Sequence, residues 1–285
     1  MTHHRSIRQC TKNFPHPADS CVALSMRVRL HLESDKPVSL PWNYPEWLMG
    51  LFYRWINAGN LALGYHLHER GFTAEGHRYK LYTFSWLFGK QLRATSQGLV
   101  LQPPLTWYVS SPLSTVIEAF VQGLWKEPEI TLGRHPLTVT RAELLPEALP
   151  AGPPFRIRTL SPILVSTREV QEGDTAPRKV FLSPDHPAFS RILTENLQRK
   201  LQALQQPPVA GELQITPLRT RSRLLTLHGT HLRAYEGTFA CEGPPKLLLF
   251  AYQAGLGERT GQGFGMVEFL LPQAGSVSAQ KPKAP

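Results

Sequence analysis

A glycine cluster near the end of the chain constrains the fold more than any other feature of the sequence. The segment Gly255-Leu-Gly-Glu-Arg-Thr-Gly-Gln-Gly-Phe-Gly265 contains five glycines in eleven residues. Because glycine adopts positive φ and lets a backbone lie against a ligand, we expect this segment to be a loop outside the core. Successive main-chain N–H groups in such loops commonly contact phosphate oxygens.

The flanks of the cluster exclude the common nucleotide-binding loops. A dinucleotide-binding turn follows a strand and opens a helix, whereas here 244–254 reads as a helix and 266–271 as a strand. No Gly-Lys-Ser/Thr follows the glycines, which excludes the phosphate loop of nucleoside triphosphatases. Two interpretations remain, a structural turn between helix and strand, or a loop that follows a nucleic-acid backbone. We favour the second.

The composition suits a polyanionic partner. The formal net charge is +10 at pH 7, although a generally basic protein would carry the same charge. The cysteines, Cys10, Cys21 and Cys241, form neither a Cys-x-x-Cys pair nor a disulfide framework, which favours a reducing compartment. The histidines and cysteines of the first 25 residues match no zinc spacing, and neither a signal peptide nor a membrane span is apparent. We therefore expect a cytoplasmic protein with no membrane partner.

A proline-rich segment divides the chain into two units. Residues 146–154 contain four prolines and one glycine, a composition typical of a linker. Both ends of the chain lack a continuous apolar pattern. We expect disordered ends at 1–25 and 272–285, an N-terminal domain at 26–146, a linker at 147–154 and a C-terminal domain at 155–271.

The apolar periodicity predicts an α+β fold. In the first unit, a strand is followed by a helix from Asn43 or Pro45, strands at about 80–87, 97–102 and 105–110, a helix from Ser111-Pro112 and strands at 128–132 and 137–145. This order indicates a ferredoxin-like (RRM-like) sandwich, with helices on one face of an antiparallel sheet. The second unit has a helix near Pro187, strands at about 211–216, 218–227 and 229–240, a helix at 245–254, the glycine loop and a last strand.

Two polar side chains are expected to meet beside the first helix. Trp47, Leu48, Leu51, Phe52, Trp55 and Ile56 form its apolar face, and Tyr53 lies about 100° away from Phe52, so it points toward a surface or cleft. A short second helix at 61–69 would bring His68 near it.

Several motifs of the chain together resemble one family. They are Met26-Arg-Val-Arg-Leu-His-Leu-Glu33, Pro41-Trp-Asn-Tyr44, Leu48-Met-Gly-Leu-Phe-Tyr53, Leu67-His68-Glu69, Tyr79-Lys80-Leu-Tyr-Thr-Phe-Ser85, Ser161-Pro-Ile-Leu-Val165 and the helix, glycine loop and strand near the C-terminus. From about Met26 to Leu271, the chain is similar to the repeat-processing endoribonucleases of CRISPR systems, members of the RAMP superfamily. The resemblance implies two tandem ferredoxin-like domains, with the glycine loop facing the cleft between them.

The resemblance also implies a reaction. His68, Tyr53 and Lys80 match the catalytic histidine, tyrosine and lysine of the family, and no metal or other cofactor is required. His68 would exchange a proton, Lys80 would stabilise the charged phosphate oxygens, and Tyr53 would orient the 2′-hydroxyl or the scissile phosphate. Because RNA carries its own nucleophile, 2′-hydroxyl attack would leave a 2′,3′-cyclic phosphate and a 5′-hydroxyl.

Each of these residues also has a plain structural interpretation. A tyrosine beside an apolar helix face is often only packing, and His66 and His77 are rivals to His68 for proton transfer. Arg219, Arg221 and Arg223 alternate on a strand-like run, with a weaker version at Arg156 and Arg158. Such a stripe either contacts RNA or is a solvated outer strand.

The expected partner is CRISPR repeat RNA, cut to yield mature guide RNA. The residues expected to bind it are Gly255, Gly257, Arg259, Gly261, Gly263, Gly265, Arg219, Arg221 and Arg223. Two further partners stay open, other subunits of a CRISPR effector complex and a second copy of the chain as a homodimer. The alternative to an enzyme is a non-catalytic subunit of such a complex that binds the guide RNA.

Overall fold

A computed structural model describes residues 27–147, 149, 152–170, 176–227 and 229–270. The expectations for residues 1–25, for Met26, for Leu271 and for 272–285 lie outside the described residues. None of the helices in these ranges is both long and apolar enough to cross a lipid bilayer.

The first half of the chain folds around one large antiparallel sheet. Its strands are β1 (Arg27–Glu33), β2 (Val38–Pro41), β3 (Phe72–Ala74), β4 (His77–Tyr79), β5 (Thr83–Phe84), β6 (Phe88–Ala94), β7 (Gly98–Ser110), β8 (Glu129–Leu132) and β9 (His135–Leu145). Its helices are α1 (Pro45–Gly59), α2 (Leu61–Tyr65), a π-helical turn over His66–Arg70, and α3 (Ser114–Lys126). The sheet runs β2-β7-β1-β9-β8, with β5 and β6 also paired to β7, while β3 and β4 form a separate hairpin.

The two long helices of this half cover the same face of the sheet. Trp55 of α1 and Phe120 of α3 both contact Trp107 of β7, with ring centroids 6.1 and 5.9 Å away. All three side chains are fully buried. They therefore form the centre of the first core.

The second half repeats the same arrangement. Its strands are β10 (Phe155–Thr159), β11 (Ser166–Glu169), β12 (Arg178–Phe181), β13 (Gln214–Leu227), β14 (Thr230–Glu242) and β15 (Val267–Leu270), and its helices are α4 (Phe189–Ala203), α5 (Pro245–Ala254) and a 3-10 turn at Thr260–Gln262. The main sheet runs β13-β14-β10-β15, and β11 and β12 form a hairpin.

The strand orders define the fold class. Each half contains a β-α-β-β-α-β succession, made of β1, β6, β7 and β9 in the first half and of β10, β13, β14 and β15 in the second. In the sheets these strands lie in the order β9-β1-β7-β6 and β15-β10-β14-β13, so each succession has the spatial order fourth, first, third, second. This is the order of the ferredoxin-like sandwich. The prediction of an α+β chain with two tandem ferredoxin-like units is therefore confirmed.

Several predicted strand boundaries are wrong. The expected strands at 97–102 and 105–110 are the single strand β7, because Pro103 and Pro104 lie between the stretches that pair with its neighbours and so cost no ladder hydrogen bond. The expected strand at 80–87 shrinks to Thr83–Phe84. The expected strands at 211–216, 218–227 and 229–240 form one long hairpin, β13–β14, with a register shift between Pro217 and Arg219.

A buried arginine joins the two halves. Arg27 of β1 is 1% exposed, and its Nη1 donates to the carbonyl of Val267 at 2.9 Å. Its guanidinium lies 3.4 Å from the ring centroid of Tyr252. Burial lowers the pKa of Arg27 to about 10, so the side chain remains charged at neutral pH.

Candidate active site

A cavity of about 1330 Å³ lies between the two halves. The first half lines it with Tyr53, His68 and Lys80, and the second half with α4 and part of the glycine segment. Large clefts between structural units are the preferred places for ligand sites. The three residues expected to be catalytic therefore share one cleft.

Local helix geometry presents His68 to this cavity. The side chain of Asn60 caps α2 by accepting from the Leu63 N–H at 3.0 Å. Gly64 lets α2 approach α1, because a Cβ there would lie 1.8 Å from Oδ1 of Asn57. After α2 the helix widens into the π-helical turn, which ends where the Gly71 N–H donates to the His66 carbonyl at 2.7 Å. Such π turns are rare and frequently occur at functional sites.

The imidazole of His68 is oriented by its neighbour. Nδ1 of His68 lies 2.7 Å from Oε1 of Glu69, and the His68 side chain is 65% exposed. Because a carboxylate only accepts, this contact favours the proton on Nδ1. Nε2 is then left as a proton acceptor on the open side of the ring.

Tyr53 supplies a hydroxyl beside His68. Its ring lies edge-on to the imidazole, with centroids 5.1 Å apart. Burial raises the pKa of Tyr53, and a hydrogen bond with Tyr82 acts in the opposite direction. The phenol is therefore protonated at neutral pH, and Tyr53 lines the cavity.

Lys80 is tied to the main chain that carries His68. Its Nζ donates to the carbonyls of Leu67 and His68 in the last turn of the π helix. Burial lowers the pKa of Lys80, the charge of Arg78 lowers it further, and Glu69 opposes both. Lys80 thus supplies positive charge to the cavity and also anchors the turn beneath His68.

The two rival histidines occupy different positions. The ring of His66 packs against Phe72, 5.2 Å between centroids, and does not line the cavity. Burial lowers the pKa of His66, with smaller effects from Arg70 and Lys80. His77, on β4, is exposed and lines the cavity, with its ring 6.5 Å from that of Tyr79.

The glycine segment does not have the exposure expected of it. All five of its glycines are buried, so the prediction that the segment lies outside the core is wrong. Its carbonyls accept hydrogen bonds from three side chains of the first half: Tyr82 Oη to Gly261 (3.1 Å), Thr83 Oγ1 to Phe264 (3.0 Å) and Trp86 Nε1 to Gly263 (3.1 Å). At Gly263, φ is +83° and a Cβ would lie 2.6 Å from the ring of Phe84. Close packing between the halves therefore requires glycine there.

Only the middle of the glycine segment reaches the cavity. Gly257, Arg259 and Gly261 line it, whereas Gly255, Gly263 and Gly265 do not. The backbone of Arg259 adopts the left-handed conformation, with φ 55°, and the 3-10 turn Thr260–Gln262 follows directly. Within the described ranges, the N–H groups of Arg259, Thr260 and Gly261 donate to no other residue. Successive N–H groups in such a turn form a concavity suited to an anion.

The arginine stripe lines a second cavity, of about 640 Å³. Arg219, Arg221 and Arg223 share one face of β13, as the alternation predicted, and Arg158 of β10 joins them, whereas Arg156 does not. Nε of Arg221 and Nε of Arg223 both donate to Oε1 of Glu236, the latter at 2.7 Å. The guanidinium of Arg223 lies 5.3 Å from the ring centroid of Trp42.

One residue of the first cavity was missed in the sequence. Lys200 is 2% exposed and lines the cavity from α4. It follows Leu193 and Leu197 at positions where the helix faces the core, so a lysine at an apolar position was the available signal.

Fold and cavity together define a protein of two tandem ferredoxin-like units that enclose a histidine, a tyrosine and a lysine. The family model "CRISPR-associated protein Cas6, N-terminal" matches residues 39–143, and the model "CRISPR associated protein Cas6, C-terminal" matches residues 147–269. The chain therefore belongs to the Cas6 family of CRISPR-associated proteins.

Individual relatives agree with this assignment. The CRISPR-associated endoribonuclease Cas6 1 of Methanocaldococcus jannaschii is 28% identical over 246 residues, which cover 85% of this chain and 92% of the relative. The CRISPR-associated endoribonuclease Cas6 of Pyrococcus furiosus is 28% identical over 241 residues, 83% of this chain and 86% of the relative. A solved structure described as CRISPR associated protein Cas6 superposes with a TM-score of 0.71 at 27% identity, covering 86% of this chain and 99% of that one.

Proposed function

We propose that this chain is a metal-independent endoribonuclease that cuts CRISPR precursor RNA within its repeats and releases guide RNA. The observation that carries the proposal is the meeting of Tyr53, His68 and Lys80 at one cavity. Relatives named as CRISPR-associated endoribonucleases, which align over most of their own length, support the same reaction. The cysteine usage and charge fit an enzyme that works in the cytoplasm.

Each of the three side chains has a role that its surroundings permit. Nε2 of His68 removes the proton of the 2′-hydroxyl, because Glu69 holds the other ring nitrogen. The hydroxyl of Tyr53 donates to a phosphate oxygen, and the ammonium of Lys80 stabilises the charge that develops there. The 2′-oxygen forms a bond to phosphorus while the bond to the 5′-oxygen breaks, and the departing 5′-oxygen takes up a proton from water, which gives a 2′,3′-cyclic phosphate and a 5′-hydroxyl.

Two surfaces would hold the RNA. The N–H groups of Arg259–Gly261, which have no partner among the described residues, donate to a phosphate at the first cavity, and the stripe of Arg219, Arg221 and Arg223 contacts backbone phosphates at the second. A buried glycine segment whose middle lines the cavity fits this role, because its N–H groups are fixed before RNA arrives.

The direct test is cleavage of a labelled repeat RNA in EDTA. Wild type is compared with His68→Ala, and a second RNA carries a single 2′-deoxy at the cut site. Cleavage that survives EDTA and is lost with either change supports 2′-hydroxyl attack assisted by His68. Tight binding of the RNA by the wild type without any cutting would favour the alternative, a non-catalytic subunit that binds guide RNA.

A further inference from the structure

A buried lysine lies directly beneath the glycine segment. Lys200 of α4 is 2% exposed, and its Nζ donates to the carbonyls of Gly255 at 2.9 Å and Gly257 at 3.0 Å. Lysine is almost never fully buried without a paired charge, because removing an ammonium from water costs several kcal/mol. An apolar residue would serve simple core packing at lower cost, so the ammonium requires another explanation.

The carboxylate of Glu258 does not bond to this ammonium. Glu258, the next residue of the loop, acts on Lys200 only electrostatically. Its carboxylate instead accepts from the Ser166 N–H at 3.0 Å and from Lys179 Nζ at 2.9 Å, in the β11–β12 hairpin. The hydrogen-bond partners of Lys200 are therefore main-chain carbonyls of the glycine segment.

These bonds determine which way the glycine segment faces. The carbonyls of Gly255 and Gly257 point toward Lys200 of α4. The N–H of the next residue, Glu258, donates to the Leu164 carbonyl at 2.8 Å. The chain then enters Arg259, whose backbone is left-handed. The N–H groups of Arg259, Thr260 and Gly261 follow directly. The orientation of these donors thus depends on an anchor two residues earlier.

We propose that Lys200 is a positioning residue for RNA binding, which holds the glycine segment so that the Arg259–Gly261 N–H groups stay open toward a phosphate of the RNA. This inference rests on the proposed function. In its protonated form, Lys200 also puts a desolvated positive charge behind the phosphate site, where the low dielectric strengthens its attraction for an anion. Lys200 does not touch the reacting atoms, so its loss weakens binding and leaves the chemical step of the bound RNA intact.

The test compares two variants with a matched control. Lys200→Met keeps an unbranched side chain of nearly the same length but removes charge and donors, whereas Lys200→Gln keeps N–H donors without charge. Lys246→Met, at an exposed position of α5, is the control. The dissociation constant is measured with a repeat RNA made uncleavable by a 2′-deoxy at the cut site, and single-turnover cleavage of the normal RNA is measured at saturating protein.

The expected result is an RNA dissociation constant raised about tenfold or more in Lys200→Met and less in Lys200→Gln, since tenfold corresponds to one or two lost charge-assisted contacts. The saturated cleavage rate should change less than about threefold. Hydrogen exchange at Gly257–Gly261 in the free protein should be faster in Lys200→Met. Lys246→Met should match the wild type in all three measurements.

Four results would overturn the inference. An unchanged dissociation constant beside faster exchange or a lower melting temperature would make Lys200 a packing anchor only. A loss of saturated rate at an unchanged dissociation constant would make it part of the chemical step. If both variants fail to fold, hydrogen exchange of the wild type is measured with and without RNA. RNA that binds but does not slow exchange at Arg259–Gly261 would contradict the proposal. Wild type that neither binds nor cuts repeat RNA would instead reject the proposed function, and the inference with it.

Discussion

The ring of Tyr53 stands edge-on to the imidazole of His68, with centroids 5.1 Å apart and planes at 80°. Tyr53 belongs to α1 and His68 to the π-helical turn after α2, so the contact exists only because the chain folds back at Asn60 and packs closely at Gly64. This contact brings a hydrogen-bond donor and a proton acceptor together at the same wall of the cavity. The first two predictions separate their roles.

Replacing His68 by Ala should lower the single-turnover cleavage rate by about 10²- to 10⁴-fold, the usual contribution of a positioned general base. RNA binding should change little, because the imidazole is mostly exposed and its ring and ion-pair contacts among the described residues are with Tyr53 and Glu69. His66→Ala is the control, since that ring packs against Phe72 outside the cavity. If His77→Ala lost a similar factor in rate while His68→Ala stayed active, the general base would be His77.

Replacing Tyr53 by Phe should slow cleavage by about 10- to 100-fold, the value of one hydrogen bond to a charged group. The ring and its contacts with His68 and Phe52 are kept and only the hydrogen bond with Tyr82 is lost, so the melting temperature should fall only slightly. Tyr65→Phe, an exposed position on α2, serves as the comparison. Equal rates for Tyr53→Phe and wild type would mean that Tyr53 only packs.

The burial of Lys200 predicts a pH dependence of stability. Burial lowers its pKa to about 7, with Glu258 opposing, whereas an unfolded lysine titrates near 10.5. Between these values the unfolded chain binds more protons than the folded one, so this group makes the free energy of unfolding rise with pH, by about 1 kcal/mol per pH unit. Urea unfolding of Lys200→Met at pH 7, 8 and 9 should give a flatter dependence than the wild type. Parallel curves for the two proteins would contradict the assignment.

The close approach at Gly263 predicts a large cost for a single methyl group. Gly263→Ala adds a Cβ 2.6 Å from the Phe84 ring at a φ of +83°. Gly76→Ala is a matched control, because its φ is +75° and nothing lies within 4 Å of the added atom. Both should lose about 1 kcal/mol to the left-handed backbone, and Gly263→Ala about 1 to 3 kcal/mol more to overpacking. Equal denaturant midpoints for Gly263→Ala and Gly76→Ala would argue against close packing of Gly263 on Phe84.

The arginine stripe predicts unequal contributions to RNA binding. Arg221 and Arg223 share Glu236, whereas Arg219 has no carboxylate partner among the described residues. Arg219→Ala should therefore weaken RNA binding more than Arg221→Ala and reduce the slope of log Kd against log salt by about 1. Arg191→Ala, which removes an exposed pair with Glu195 on α4, should leave the slope unchanged. Identical slopes for Arg219→Ala and wild type would indicate a solvated strand without RNA contacts.

The sequence was informative wherever a short-range pattern decides the structure. The apolar spacing of Trp47 to Ile56 predicted α1 and the off-face position of Tyr53, and the alternation of Arg219 to Arg223 predicted a shared face. Both follow from helix and strand periods alone. The ferredoxin-like order of the first unit followed from the succession of its elements, whereas the tandem of two such units was implied by the family resemblance.

Such patterns could not predict contacts between residues that lie far apart in the chain. Glycine density predicted an exposed loop, but Tyr82, Thr83 and Trp86 lie more than 170 residues earlier in the chain and cover it. The π-helical turn depends on Lys80 binding carbonyls at Leu67 and His68, which no local periodicity signals.

The contact of Thr83 and Trp86 with the glycine segment also has an evolutionary consequence. A substitution on either side of this seam alters the shape that the other side must fit, so the two halves cannot accumulate changes there independently. Across related sequences, the residues at 82–86 should co-vary with those at 261–264 more strongly than either set does with the outer strands of its own sheet. A chimaera that joins the first half of one relative to the second half of another would then fold only when these two short segments come from the same parent.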